Sequence, residues 1–384
     1  MEIVRLNAKD YDELLAFYNL VFTKQNQRLM DFTHELPRMW IRDDEHMSKH
    51  FAVKEDDKIL AALGVYPLYT DINGEKFVFS TVGNVATHPD YEGRGYMKAL
   101  MAKAMQELIR IKADASRLGG LRQRYNRYGY EYCGSAIRFV FTGRNNDICC
   151  LDVQKDLKFY EVQPDDITEL KQIAEWKEKQ KIYVEYDGDN KLRDIYLSLR
   201  SWDNRVFIAK DKAGMNIGYV CAFPDSGTLS SVGAKDESAL LETICSWQRF
   251  VRKTVEFVLA PYQVKEISIF SDICESYTIG SPSLFKIINW EKTTNALMKL
   301  KSSYSVMPDG EFVLGIKDYG TIRLFVKNGI AGCEKSDVTP EMIVDELSAA
   351  RLLFGPLSAD CFELHNSVNG WFPLPLSWDM QDRV

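Results

Sequence analysis

Two segments of this chain repeat each other in the same order and at the same spacing, and nothing else in the sequence constrains its fold as strongly. LNAKDYDEL (6–14) resembles VQPDDITEL (162–170), each opening a helical pattern. FAVKEDDKILAALGV (51–65) resembles FIAKDKAGMNIGYV (207–220), each a strand, a charged turn and a strand. Leu6 and Phe51 lie 45 residues apart, and so do Val162 and Phe207. A shared register of this kind predicts two copies of one supersecondary plan. The chain, at 384 residues, is also too long for one ordinary core. From about residue 285 the pattern changes to a helix, glycine-broken strands, and TPEMIVDELSAARLLFG. That last segment predicts a helix with Thr339 as N-cap and Pro340 in the first position. The expected class is α/β (α+β), with units over 1–146, 147–284 and 285–384.

Within the first copy, Tyr11, Leu14, Leu15, Tyr18, Val21 and Phe22 fall on one helical stripe. Residues 51–89 predict three strands, turning at Asp56-Asp57 and Asn73-Gly74. HPDYEGRGYMKALM (88–101) then joins a strand to a helical run through Gly93, Arg94 and Gly95. Helix N-termini expose unpaired N–H groups and a partial positive charge, so this loop suits a phosphate. A P-loop would need GxxxxGK[ST], which is absent, and a dinucleotide fingerprint would need a third glycine. A third reading, which the resemblance given below favours, is the pyrophosphate loop of acetyl-CoA-dependent acyltransferases. The second copy has SSVGAKDESALLETICSW (230–247) at the equivalent place, without Gly-Arg-Gly, so one such site is expected.

The net charge of -7 argues against a surface built to grip nucleic acid, and no apolar run is long enough to span a membrane. No signal peptide is visible at the start, so a cytoplasmic protein is expected. The eight cysteines and five histidines show no zinc-like spacing, which predicts reduced thiols and no metal. Cys149 and Cys150 are expected as reduced thiols on a strand.

VATHPDYEGRGYMKALM resembles motif A of the GNAT N-acetyltransferases, with Gly95 in place but Glu92 and Met97 departing from the usual residues. RYNRYGYEYCG adds Tyr125, Gly129 and Tyr130 in the spacing that these acetyltransferases share. Length and repeat together resemble the Eis-like branch: two tandem GNAT-like mixed-sheet domains, the second without cofactor, followed by a small domain resembling sterol carrier proteins. The resemblance implies acetyl-CoA as acetyl donor and a small-molecule amine as acceptor: a polyamine, an aminoglycoside-like compound or a lysine-type amine. It implies that Val85, Ala86 and Thr87 line the cofactor and that Gly93, Arg94, Gly95, Tyr96, Met97 and Lys98 hold its pyrophosphate. It further implies Tyr125 as general acid, the Val384 carboxylate as base, and a homo-oligomer, with hexamers common among relatives.

Asp379 and Asp382 are alternative carboxylates, while His88 reads as a loop histidine. Acidic and aromatic residues between 28 and 50 (Asp31, Phe32, Glu35, Trp40, Asp43, Asp44 and Glu45) are candidates for acceptor binding by charge and cation–π contact. Two other readings stay open: a carrier of an apolar ligand or acyl-CoA on a GNAT scaffold, and an aminoacyltransferase using charged tRNA.

Overall fold

The computed structural model describes residues 2–153, 156–223, 226–364 and 366–379. The first unit runs β1 (Ile3–Arg5), α1 (Tyr11–Asn26), α2 (Phe32–Glu35), α3 (Asp44–Met47), β2 (His50–Glu55), β3 (Lys58–Ile72) and β4 (Glu75–Thr87). It continues through α4 (Tyr96–Arg110), β5 (Ala115–Leu118), α5 (Arg122–Tyr125) and β6 (Glu131–Cys133). The stripe on α1 is buried as its spacing predicts, at Tyr11, Leu14, Tyr18 and Val21. Both turns also form where the sequence puts them. Asp56 and Asp57, like Asn73 and Gly74, have positive φ, the geometry that suits tight hairpins between twisted strands. The β3–β4 hairpin spans 15 and 13 residues and forms the backbone of the site.

β7 (Ala136–Phe141) ends the span expected for the first unit, and α6 (Gly143–Cys149) leads into the second, which holds β8 (Lys158–Glu161), α7 (Ile167–Glu178), β9 (Ile182–Val184) and α8 (Lys191–Leu199). After these come β10 (Arg205–Lys210), β11 (Asn216–Ala222), β12 (Leu229–Ala234), α9 (Glu237–Val251), β13 (Val255–Leu259), α10 (Val264–Ile273) and β14 (Ser276–Gly280). Cys149 and Cys150 sit at a helix end rather than on a strand, Cys149 exposed and Cys150 buried. Capping explains the helix: Thr142 and Asn145 form a reciprocal box that starts it.

Topology couples the two units. β1 to β4 form an antiparallel ladder, and β4 then pairs in parallel with β5. β8, β10, β11 and β12 repeat that ladder, with a parallel bridge between Thr228 and Glu256 leading to β13. Each sheet is completed by a strand from the other unit. β15 (Ser283–Ile287) inserts between β5 and β6 of the first sheet, while β7 inserts between β13 and β14 of the second. β9 also pairs antiparallel with β3, from Thr70↔Val184 to Ile72↔Ile182, so the spans expected over 1–146 and 147–284 share strands in both directions.

Beyond the exchange lie α11 (Trp290–Ser302), β16 (Gly310–Ile316), β17 (Gly320–Lys327), β18 (Ile330–Lys335), β19 (Met342–Val344) and α12 (Glu346–Phe354). The helix expected from Thr339 begins later. Residues 342–344 instead pair in parallel with β16, and Asp345 caps α12 by accepting from Ser348 N at 2.8 Å. A single apolar core reaches from Phe79 on β4 through Trp176 on α7 to Trp290, Trp371 and Trp378.

Glu107, buried at the end of α4, accepts from Arg5 and Arg110, each at 2.7 Å. The Arg110 hydrogen bond is the largest influence holding its carboxyl down to about 2. A depressed carboxyl stabilises the fold above its unfolded value of about 4.5 and loses that contribution as pH falls through the folded value. Urea unfolding of Glu107→Gln should therefore show a loss of about 1–3 kcal/mol at pH 7 that shrinks to nothing towards pH 2. A pH-independent difference would contradict this assignment.

Candidate active site

β4 and β5 run together only from Phe79↔Ala115 to Thr81↔Arg117 and then part. The ladder between β3 and β4 is offset between Ala62 and Gly64, and Asn84 takes a positive φ of 54° there. A bulge of this kind re-aims the backbone and ends regular pairing. Into the opening faces a cavity of about 490 Å³, lined by Val82, Gly83, Asn84 and Val85 on one side and Gly119, Gly120 and Tyr125 on another. Splayed strands leave main-chain donors and acceptors facing the space between them, and such groups need partners. An extended chain bearing amides would supply them.

Tyr125 ends the short helix α5 and is 5% exposed. Burial pushes its phenol above the ordinary value, against the opposing charge of Arg124. Gly120, at φ +142°, lies so close that an added Cβ would sit 2.6 Å from Tyr125 Cε2. The backbone conformation and the contact both demand glycine there. The loop is held from below by Glu131, which is buried between Arg122 on α5 and Arg351 on α12.

The α4 helix starts at Tyr96 with Gly95 as N-cap at φ 80°, no side-chain cap, and no acidic residue in its first turn. Gly93 has φ 77°, and a Cβ at either glycine would meet nothing within 4 Å. An uncapped start of a 15-residue helix beside two open glycines is a cradle that suits a pyrophosphate. Arg94 lies over the Tyr91 ring at 4.8 Å, and Lys98 is exposed. Tyr96 and Met97 pack partly onto the core beneath the helix. In the second unit, α9 is capped by Asp236, whose carboxylate accepts from Ala239 N at 2.8 Å. The protein's own anion takes that position. The cleft between β12 and β13 is a smaller cavity of about 90 Å³, walled partly by Trp378 and Asp379.

Of the residues singled out from the sequence, Val85 and Tyr125 meet in the cavity wall. Ala86 and Thr87 continue β4 opposite Ala62 and Ala61. Val384 and Asp382 lie outside the described residues. Asp379 pairs with Lys177 at 2.9 Å and accepts from Ser231 Oγ at 3.2 Å, in the second unit. His88 closes its own turn, accepting from Asp90 N at 3.3 Å.

The acidic residues between 28 and 50 do not line the cavity. Asp31 caps α2 and Asp43 caps α3, while Asp44 accepts from Ala8 N. Glu35 is buried against Arg28 at 2.6 Å, and Glu45 lies 3.7 Å from Lys49. Trp40 is buried in an aromatic core with Tyr18 and Phe32. Only Phe32 from that set reaches the cavity. The caps were legible as Asp residues ahead of short helical runs. Sequence reasoning did not identify Phe22, Met30, Arg117, Arg124, Trp202 and Phe223 as part of the wall, which also includes Gln25, Asn26, Leu121, Asn204 and Ser230. The Gly119-Gly120 pair was the one local signal for that part of the site.

Among the described residues, no helix is long and apolar enough to cross a membrane, and no group of His, Cys, Asp and Glu is arranged to hold a metal ion. Residues 2–133 match the acetyltransferase (GNAT) domain family. A search of curated proteins finds no match. The chain resembles the crystal structure of a GCN5-related N-acetyltransferase from Kribbella flavida, with TM-score 0.67 and 15% identity over 98% of this chain and 97% of that one. It resembles a second GCN5-related N-acetyltransferase, from Anabaena variabilis, with TM-score 0.66 and 16% identity over 98% of both chains. Eis1 from Mycobacterium abscessus is similar at TM-score 0.64 and 11% identity, over 98% of this chain and 96% of that one. Likeness at such identities concerns the fold, and the family match concerns the residues that build the splayed site. The family match covers the unit that carries the splay, Tyr125 and the open start of α4, and the likeness to these solved structures extends the shared fold over the rest of the chain.

Proposed function

We propose that the protein is an acetyl-CoA-dependent N-acetyltransferase of the Eis-like type that acetylates a primary amine by direct transfer in a ternary complex. The observation that carries this reading is the β4–β5 splay with buried Tyr125 in the wall of one cavity, together with the uncapped start of α4 to which β4 leads. Acetyl-CoA supplies an activated acyl group and a thiol leaving group. Gly93 to Lys98 would hold its pyrophosphate, and the main chain of Val85 to Thr87 would hold its amide-bearing arm. Tyr125 Oη keeps a proton for the departing sulfur. Because burial raises its pKa, the phenol stays protonated throughout neutral and mildly alkaline solution.

The acceptor must arrive at the carbonyl as a neutral amine. At pKa near 10.4 only about 0.04% is neutral at pH 7, a cost of roughly 4.6 kcal/mol that a base must offset. We assign that role to the Val384 carboxylate. Support comes from the preceding residues: Trp378 packs on Phe79 with ring centroids 4.6 Å apart, and Asp379 is clasped by Lys177 and Ser231. Ser230, next to that clasp, lines the cavity that contains Tyr125. Five residues follow Asp379 in the sequence, a reach of up to about 17 Å. In this reading the second unit is a GNAT-like domain without cofactor. The third unit, read as sterol-carrier-like, braces the loop of Tyr125 through Arg351 and carries the tail.

Tyr125→Phe should lower kcat by roughly 10²–10³ in a thiol-release assay while the KM for acetyl-CoA stays within about twofold. An unchanged kcat would remove Tyr125 from proton transfer. Gly95→Val should raise the dissociation constant for CoA at least about tenfold by calorimetry, because it fills the cradle and strains the backbone. Equal affinity would place the pyrophosphate elsewhere. Extending the chain by two residues after Val384 should cut kcat at least about tenfold with CoA affinity retained. Full activity in the extended protein would rule out the tail carboxylate as base.

A further inference from the structure

The second unit reaches into the first unit's cavity with a residue held in an unfavourable backbone conformation. Trp202 has φ 62° and ψ 42°, and Asp203 after it has φ 57°. Consecutive left-handed residues without glycine are uncommon, and for a bulky side chain the geometry is an outlier. The turn is locked in place. Asn204 Nδ2 donates to Ser201 O at 2.6 Å, and Ser230 Oγ donates to Asn204 Oδ1 at 2.7 Å. Asn204 and Ser230 are buried and themselves line the cavity. The outcome of this strain is the position of one ring: Trp202 packs on the core of the first unit beside Phe22. Backbone strain held by surrounding structure is characteristic of functional positions.

The wall it completes carries an apolar, aromatic patch beside polar residues that include Gln25, Asn26 and Asn84. Phe22, Met30 and Phe32 come from the first unit, Trp202 and Phe223 from the second. The charged side chains among the described lining residues are Arg117 and Arg124, and none of those residues is acidic. Arg117 donates from Nε to Ser283 Oγ on the exchanged strand β15, so it is a fixed part of the wall. A polycation would bring two or more ammonium groups against guanidinium groups. One amine on an apolar body would bury that body against the rings and present its single nitrogen at the splay.

We propose that the acceptor is a primary amine on an apolar body of aromatic size, and that Trp202 is the residue that selects it. This rests on the N-acetyltransferase reading above and narrows its acceptor. Trp202 acts on the body of the acceptor and not on the proton transfers, so its removal should move KM more than kcat.

The test compares phenethylamine with spermidine in the thiol-release assay, using the full chain with acetyl-CoA. Wild type should favour phenethylamine in kcat/KM by at least about tenfold. Trp202→Gly removes the ring and accepts the left-handed backbone without strain, so the turn keeps its conformation. It should raise the KM for phenethylamine by roughly tenfold, leave spermidine nearly unchanged, and hold the KM for acetyl-CoA within about twofold. Trp202→Phe, which keeps an aromatic wall, should fall between the two. An unchanged phenethylamine KM in Trp202→Gly, or an equal change for both amines, would overturn the role of Trp202. Turnover that favours spermidine would overturn the acceptor class alone. Thiol release with no amine at all would overturn the acetyltransferase reading, and this inference with it.

Discussion

A strand from residues 283–287 lies between β5 and β6, and the site hangs from it. Without β15, β5 would be a four-residue edge with its outer backbone groups unpaired, and the three-residue β6 would have no ladder partner. The segment between those two strands carries Gly120 and Tyr125. Its ends are therefore fixed by a part of the chain that folds with the second and third units. Arg117 on β5 donates to Ser283 on β15, and Glu131 on β6 joins Arg122 to Arg351. The acid proposed for the chemistry is in this way positioned by three units together. Trading strands in both directions makes the first two units mutually dependent, since β7 completes the other sheet by the same means.

One residue at a helix start separates the two copies. Both α4 and α9 are 15 residues long and follow the last strand of an antiparallel ladder. Both present unpaired N–H groups at that end. In α9 the Asp236 carboxylate accepts from one of them, Ala239 N, and places a negative charge in the local positive field, whereas at α4 Gly95 supplies no side chain at all. A capping aspartate stabilises its helix by about 1 kcal/mol. Leaving α4 without that stabilisation is the local cost of a cradle open to an anion. The helix is secured at its other end instead, where Glu107 ties it to Arg5 on β1.

What could be read from the sequence was what local chemistry decides. The turns at Asp56-Asp57 and Asn73-Gly74, the stripe on α1 and the loop at Gly93 to Gly95 depend on residues within a few positions of each other. The repeat located the second ladder for the same reason, since each copy carries its own alternation. What could not be read depends on long-range pairing. Nothing in SLFKI says that it pairs with Ala115 to Leu118 rather than with its sequence neighbours. Nor does SWDN indicate that its tryptophan faces a different unit. The acids between 28 and 50 read as a solvated helix surface or as acceptor ligands, because a carboxylate that caps a helix and one that binds an amine are the same residue type. Only the backbone geometry separates them, and at Asp31 and Asp43 the backbone N–H groups are the partners.

The second unit therefore does more than fill space beside the first. Its own strand splay is narrowed to about 90 Å³ with Trp378 and Asp379 in its wall, which leaves little room there for a long ligand. Its remaining surface is turned to the first unit's use. Ser231 and Lys177 clasp the tail, Ser230 buttresses the turn of Trp202, and Ser230 itself lines the larger cavity. Two adjacent serines on β12 thus join the segment at Asp379 to the wall of the larger cavity. In the acetyltransferase reading proposed above, a second copy that keeps its ladder but has little room in its own cleft is free of the constraint to bind cofactor. Its side chains can then be arranged to shape what enters the neighbouring site.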